Sequence, residues 1–262
     1  MLGKLLKYEM KSTARLFVPL YFSVLVVAVI NRLMKTFSVL ENVGSLNIQT
    51  ITSFIITVTY FILMAGIMVV TLVVVIQRFY KNLLGDEGYL MFTLPVQQWK
   101  NIASKLLVSL LWSVLSIIIA ISSICIYANF NIFKHMPDMF SFVNTHLGYA
   151  AYLEIPVLLL LLLTYTVIQI YAAITLGHLF SKHKLLASLG MYVVLYTVGQ
   201  IFATILTVFF LKTIFMPLEQ NTIPSPYYLN LFGLYAILLT ALLSAGYFAI
   251  TNYILKNRLN LE

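Results

Sequence analysis

Long apolar runs, separated by short clusters of charge, proline or asparagine, dominate the chain. A helix that crosses a bilayer needs roughly 20 mostly apolar residues. Runs of this kind occur at residues 16–30, completed by 31–34, and at 51–76, 106–127, 155–179, 185–211 and 229–255. The fourth contains the unbroken aliphatic stretch 158–163. The second, at about 1.5 Å per residue, exceeds the hydrocarbon thickness, which predicts tilt or protrusion. The intervening breaks, at 35–47, 77–105, 129–154, 181–184 and 212–228, carry the polar residues. The pattern predicts six transmembrane helices.

Composition supports lipid as the solvent. The 262 residues are 61% hydrophobic and 9% charged, where a soluble domain carries about 25% charged residues. A water-soluble fold of this size would have almost nothing left to solvate its surface. The expectation is an all-α integral membrane protein forming one transmembrane domain over residues 1–262. The single cysteine, Cys125, offers neither a disulfide framework nor metal-ligand spacing.

Charge gives the spans a direction. With the N-terminus inside, the inner segments hold twelve of the sixteen Lys and Arg, while the eight acids divide evenly between the two sides. The whole net charge of +8 is then cytoplasmic, and both termini lie inside, by the positive-inside rule. The basic excess is topogenic and calls for no nucleic acid. After the first run come Asn31, Arg32, Leu33, Met34 and Lys35, with no small-residue cleavage pattern, so the first span reads as retained.

Residues 1–15 read as an amphipathic helix lying in the membrane interface. At 100° per residue, Lys4, Lys7, Lys11 and Arg15 fall within a stripe about 80° wide, opposite Leu2, Leu5, Leu6, Met10 and Thr13. Glu9 interrupts the apolar side. Either a cationic group in a companion subunit or cytoplasmic loop meets it, or the helix sits shallowly and Glu9 reaches water.

The break at 77–105 is too apolar for a solvated loop. Tyr89, Leu90, Met91 and Phe92 would expose a hydrophobic surface to the cytoplasm unless something covers it. Gly85 and Gly88 bracket Asp86 and Glu87, which reads as a tight turn, and Pro95 restarts the chain. Residues 97–105 then form an amphipathic lead-in to the third span, with Trp99 at interface depth. The expectation is a short helical knob held at the membrane face by two long helices.

The stretch YKNLLGDEGYLMFTLPV and the N-terminal LLKYEMKST resemble the permease subunits of ABC-2 type ATP-binding-cassette transporters, in their small six-span Gram-positive branch. The resemblance extends over the whole chain through the six-span layout, the basic N-terminal helix, the long loop after span two and the short loop after span four. It implies an exporter subunit of a bacterial cell membrane that encloses a translocation pathway. The first cytoplasmic loop of such proteins docks on a separate ATPase subunit. That role would fall on Gly85, Asp86, Glu87, Gly88, Tyr89, Leu90, Phe92 and Pro95, with Lys182 and His183 making a smaller second contact. The resemblance also implies a second permease subunit, as a homodimer or a related pair. The family often inserts re-entrant helices between spans five and six, where this chain has only residues 212–228.

No catalytic chemistry is expected on the chain. It has no G-x-x-x-x-G-K-[ST] phosphate loop, no H-E-x-x-H and no G-x-S-x-G. ATP and Mg would belong to the partner subunit, and no cofactor or metal is expected here. His135, His146, His178 and His183 are scattered over loops and span ends. Three polar residues are candidates for the pathway. Glu154 reads as a substrate or gate contact, or as a water-facing helix start where a negative group suits the dipole. Gln169 and Gln200 line a pathway or bond between helices, the latter being commoner. Small-residue faces at Ala236, Thr240 and Ser244, and at Gly199 and Ala203, permit close helix packing. A different function class is a non-catalytic immunity or sensor subunit whose loop docks a cytoplasmic regulator. A secondary transporter is disfavoured, since no inverted repeat is evident.

Overall fold

The computed structural model describes residues 2–38, 48–81, 97–128, 134, 136–180, 183–215 and 226–257. Helices occupy all six expected positions: α1 (Leu2–Ser38), α2 (Ile48–Phe79), α3 (Gln98–Tyr127), α5 (Ala151–Gly177), α6 (Lys184–Phe210) and α7 (Pro226–Asn257). The short α4 (Met136–His146) lies between α3 and α5, and a π-helical turn, Leu211–Phe215, extends α6. There is no strand among the described residues. All six long helices are long and apolar enough to cross a membrane. The protein is therefore an all-α, six-span, multi-pass membrane protein. Large side chains such as Phe22, Phe61, Leu153, Phe209 and Leu238 are exposed along these helices, as suits side chains whose solvent is acyl chain.

Two element boundaries differ from the sequence pattern. Residues 2–15 are not a separate helix: α1 runs unbroken from Leu2 to Ser38, through Pro19. No glycine or proline stands between Arg15 and the first apolar run, so nothing ends the helix there. At about 1.5 Å per residue, its 37 residues give roughly 55 Å, well beyond the ~30 Å hydrocarbon core. The third span also starts earlier, at Gln98. The reason lies in its first two turns, which bury Asn101, Ser104 and Lys105 rather than offering them to water.

The helices form two compact units, Met1–Val75 with Leu107–Pro137, and Ile76–Leu106 with Asp138–Glu262. In the first, a stripe on α1 at three- and four-residue spacing (Glu9, Thr13, Phe17, Tyr21, Val24, Ala28 and Asn31) is buried. Phe17 stacks on Trp112 of α3, with ring centroids 4.6 Å apart. The Trp112 indole N–H donates to Thr13 Oγ1 at 2.7 Å. Tyr21 and Ser116 share a hydrogen bond of 2.7 Å, as do Ser116 and Thr71 of α2 at 2.8 Å. Tyr60 and Ser123 are linked at 3.0 Å, and Asn31 Nδ2 donates to the Ile56 carbonyl at 3.1 Å. Such bonds between membrane helices average only about 0.6 kcal/mol each. Close packing around the aromatic side chains therefore carries most of this unit's cohesion, and the bonds set the register of the three helices.

In the second unit, α5 is the hub and packs along both α6 and α7. Its C-terminal half is buried at every position from Val167 to Thr175 except Ile170. Its N-terminal half carries exposed leucines. Gly199 of α6 is buried, and a Cβ there would meet the hydroxyls of Tyr247 and Tyr165. Tyr247 Oη donates to the Leu195 carbonyl at 2.9 Å, which joins α7 to α6.

Candidate functional site

The proposed docking residues Gly85, Asp86, Glu87, Gly88, Tyr89, Leu90, Phe92 and Pro95, and also Lys182, lie outside the described residues. The residues from which residues 82–96 depart, and to which they return, are described, and both ends are anchored. On the departing side, the Phe79 ring is fully buried and stacks on Tyr171 of α5 at 3.9 Å, 11° from parallel. The next residue, Tyr80, meets the edge of the His178 ring at 5.1 Å. On the returning side, the Lys100 N–H donates to the Gln97 carbonyl at 2.9 Å and opens α3. Trp99 is exposed; its indole N–H donates to Gln97 Oε1 and Lys100 Nζ stands 5.5 Å from its ring. Ile102 is fully buried in the next turn.

The second short loop meets the first through the Tyr80–His178 contact. Its geometry starts at Gly177, the last residue of α5. A Cβ on Gly177 would coincide with the backbone and hydroxyl of Ser188 on α6, so only glycine permits so close a crossing. His178 caps α5, its ring Nδ1–H donating to the Ile174 carbonyl at 3.1 Å. His183 is the N-cap of α6 and adopts the left-handed conformation, with φ 54°. It is exposed, and its carbonyl accepts the Ala187 N–H at 2.9 Å.

Burial lowers the His178 pKa, and the positive charge of Lys184 adds to the effect, against a smaller opposing pull from the Ile174 carbonyl. The folded state therefore holds a neutral imidazole where the unfolded chain takes up a proton near pH 6.5. Below that pH the unfolded state binds more protons, so stability falls as the pH falls. We expect the loss between pH 7 and pH 5 to be smaller in His178→Gln than in the wild type when detergent-solubilised protein is unfolded thermally at each pH. Equal slopes would mean that His178 protonates freely in the fold.

Among the described residues, the buried atoms Gln98 Oε1, Asn101 Oδ1 and Gln169 Nε2 have no hydrogen-bond partner. An orphaned buried group costs about 1–3 kcal/mol. Gln169 is 1% exposed, at the start of the fully enclosed part of α5. We expect Gln169→Leu to raise stability by about 1 kcal/mol, because leucine removes the unpaired Nε2 donor at similar volume. Unfolding in mixed micelles of dodecyl sulfate and mild detergent measures this. A loss of stability would show that the amide has an uncounted partner.

The other sequence candidates do not converge. Glu154 stands in the first turn of α5, fifteen residues from Gln169, or roughly 22 Å along the helix. Its Oε2 lies 2.5 Å from where a Cβ on Gly233 of α7 would be, so glycine lets the carboxylate lie against that helix. Gln200 is exposed on α6, in line with exposed Tyr192, Tyr196 and Thr204 at four-residue intervals. Only Ser188 and Gly199 are buried on α6. Glu9 is 8% exposed, one turn below Thr13, whose hydroxyl donates to the Glu9 carbonyl at 2.8 Å.

The residues the sequence pattern left unmarked are Phe79, Tyr171, Gly177 and Asn101, and His178 is marked only as a histidine at a span end. A signal exists for Asn101 alone. Gln98, Asn101 and Lys105 recur at three- and four-residue spacing, which places them on one face of the helix. Among the described residues no group of three or more His, Cys, Asp or Glu could hold a metal ion. Compared with known proteins, the chain matches no family model, no curated protein and no solved structure.

Proposed function

We propose that the chain is the membrane-spanning permease subunit of an ABC-2 type exporter. In this reading both termini are cytoplasmic, the membrane is the bacterial cell membrane, and a separate ATPase and a second permease subunit complete the machine. The chain itself performs no catalysis, and ATP and Mg reside on the ATPase. The observation that supports this is the anchoring of Phe79 and Tyr80, just before residues 82–96. The helix leading into them is stacked on α5 through Phe79 and Tyr171, and the neighbouring short loop touches it through Tyr80 and His178. A knob on such a base delivers force to α5, the hub of its unit, rather than spending it in loop motion. Both loops assigned to the ATPase by resemblance would then move as one body. Gln200, in its exposed polar line on α6, is the residue best placed to face an aqueous pathway, since an amide facing acyl chains is costly.

The test is co-purification from the native membrane, followed by reconstitution with the ATPase that accompanies the chain. Replacing Asp86 and Glu87 together by Lys should lower permease-stimulated ATP hydrolysis about tenfold, equivalent to losing about 1.4 kcal/mol of docking energy. Insertion and yield should be unchanged. Purification that never brings an ATPase, or that brings a kinase or other regulator in its place, overturns the assignment.

A further inference from the structure

We infer that α4 is an interfacial helix: its apolar face lies in the bilayer surface beside the start of α5 and holds that end of the hub helix at headgroup depth. The pattern of α4 is amphipathic. At 100° per residue, Met136, Met139, Phe140 and Val143 fall within a sector about 100° wide, and Asp138, Ser141 and Thr145 fall opposite. No residue of α4 is buried. On the apolar side Met139 is 55% exposed and Phe140 44% exposed, so no described part of the chain covers that face. Phe142 stands at the flank, its ring stacked on His146 with centroids 4.4 Å apart. The eleven residues of α4 give roughly 16 Å, about half of the ~30 Å hydrocarbon core, so α4 does not cross the membrane.

The way α4 is tied to α5 says what covers the face. The Leu147 and Gly148 N–H groups both return to the Val143 carbonyl, at 2.8 and 3.0 Å, and Gly148 adopts φ 75°. This turn closes α4, and α5 begins at Ala151. Tyr152, the second residue of α5, then reaches back to α4. Its hydroxyl donates to Asn144 Oδ1 at 3.0 Å and lies 3.4 Å from the Phe140 carbonyl, and its ring centroid is 5.9 Å from that of Phe140. Residues 140 and 144 are one turn apart, so a side chain from the first turn of a membrane span holds the middle of α4. The 27 residues of α5 give roughly 40 Å, the thickness of a bilayer with its headgroups. The first turn of α5 therefore stands in the headgroup layer, and α4 is fixed at that depth. Exposed Tyr149, Leu153 and Leu159 continue the apolar surface from α4 toward the acyl chains, and tyrosine suits the boundary. Lipid is thus the apolar solvent next to Met139 and Phe140. Among its residues α4 has no Lys or Arg and one acid, Asp138, so apolar area holds it rather than attraction to anionic headgroups. The inference depends on the six-span placement alone and is independent of any ATPase.

The test uses the full chain in phosphatidylcholine vesicles, in a Cys125→Ser background. Met139→Cys, Ser141→Cys and Leu159→Cys each carry an environment-sensitive NBD fluorophore, and retention of the wild-type elution profile is the criterion for folding. Lipids with a nitroxide near the headgroup or near the acyl end are the membrane quenchers, and iodide is the aqueous one. At Met139→Cys the emission should shift to the blue and be quenched more by the shallow nitroxide than by the deep one, with little effect of iodide. At Ser141→Cys iodide should dominate. Leu159→Cys lies eight residues into α5, roughly 12 Å deeper, and should be quenched more by the deep nitroxide, which calibrates the scale. Exchanging part of the phosphatidylcholine for phosphatidylglycerol should leave nitroxide quenching at Met139→Cys unchanged. A Met139→Cys probe that iodide reaches and lipid nitroxides do not, or that behaves as the Ser141→Cys probe does, overturns the inference. Nitroxide quenching that appears only with phosphatidylglycerol overturns the hold by apolar area. Ready disulfide formation between two copies of unlabelled Met139→Cys also overturns the inference, since a second copy would then cover the face.

Discussion

Trp112→Ala should lower stability by about 3 kcal/mol, the low end of the range for emptying an aromatic site in a core. Trp112 is 7% exposed and makes three kinds of contact at once. Its ring stacks on Phe17 at 4.6 Å, its centroid is 6.2 Å from that of Tyr21, and its N–H is taken by Thr13. The low end applies because the helices are solvated by lipid. Moving the ring from a protein core into acyl chains forfeits little transfer energy, so the cost is mostly the cavity and the lost dispersion contacts. Trp112→Phe keeps the stack and loses the bond, and should cost about 1 kcal/mol. Reversible unfolding in mixed micelles reads both. If Trp112→Ala costs no more than Trp112→Phe, the indole is not packed as described.

Gly177→Ala should cost about as much, near 3 kcal/mol, the upper part of the range for overpacking. The added methyl would occupy the place of Ser188 backbone atoms. Unlike the end of a side chain, these cannot rotate away, so α5 and α6 must part along their contact. Gly190 on α6 is the control, since a Cβ there meets nothing within 4 Å. Gly190→Ala should be neutral or stabilising by up to about 1 kcal/mol, from helix propensity. If the two substitutions behave alike, the close crossing is absent in the membrane. The same change would displace the turn that carries His178 and weaken its contact with Tyr80. Under the proposed function, Gly177→Ala therefore also reduces stimulated ATP hydrolysis, whereas Gly190→Ala does not.

Much of the architecture was legible one residue at a time. Six apolar runs became six helices because in a bilayer each backbone polar group must be satisfied within its own segment; length and apolarity alone then suffice to place a span. Helix ends were less legible. The pattern assigns residues 1–15 to an interfacial helix and the run from 16 to a span, yet α1 is one helix through both, because a change from basic to apolar side chains alters the solvent and not the backbone. The reading of 97–105 as an amphipathic lead-in is likewise incomplete. Asn101, Ser104 and Lys105 are buried, and no periodicity tells a polar face that meets water from one that meets protein.

The candidate site shows the same division. Gln169 and Gln200 are one residue type in two apolar runs, and sequence gives them equal standing. The fold buries Gln169 without a partner for its Nε2 and leaves Gln200 exposed. Phe79, Tyr171 and His178 were ordinary residues until three segments distant in sequence were brought together.

Span number and span type depend on the solvent each segment meets, and the solvent is chosen locally, residue by residue. The anchoring of residues 79–80 on α5 and the crossing at Gly177 depend on which faces meet. Lipid contributes no hydrophobic preference among those faces, so the choice rests on shape: a glycine opposite a serine backbone, an aromatic ring on a ring. Such complementarity belongs to pairs of surfaces, and it exists only once the helices have packed.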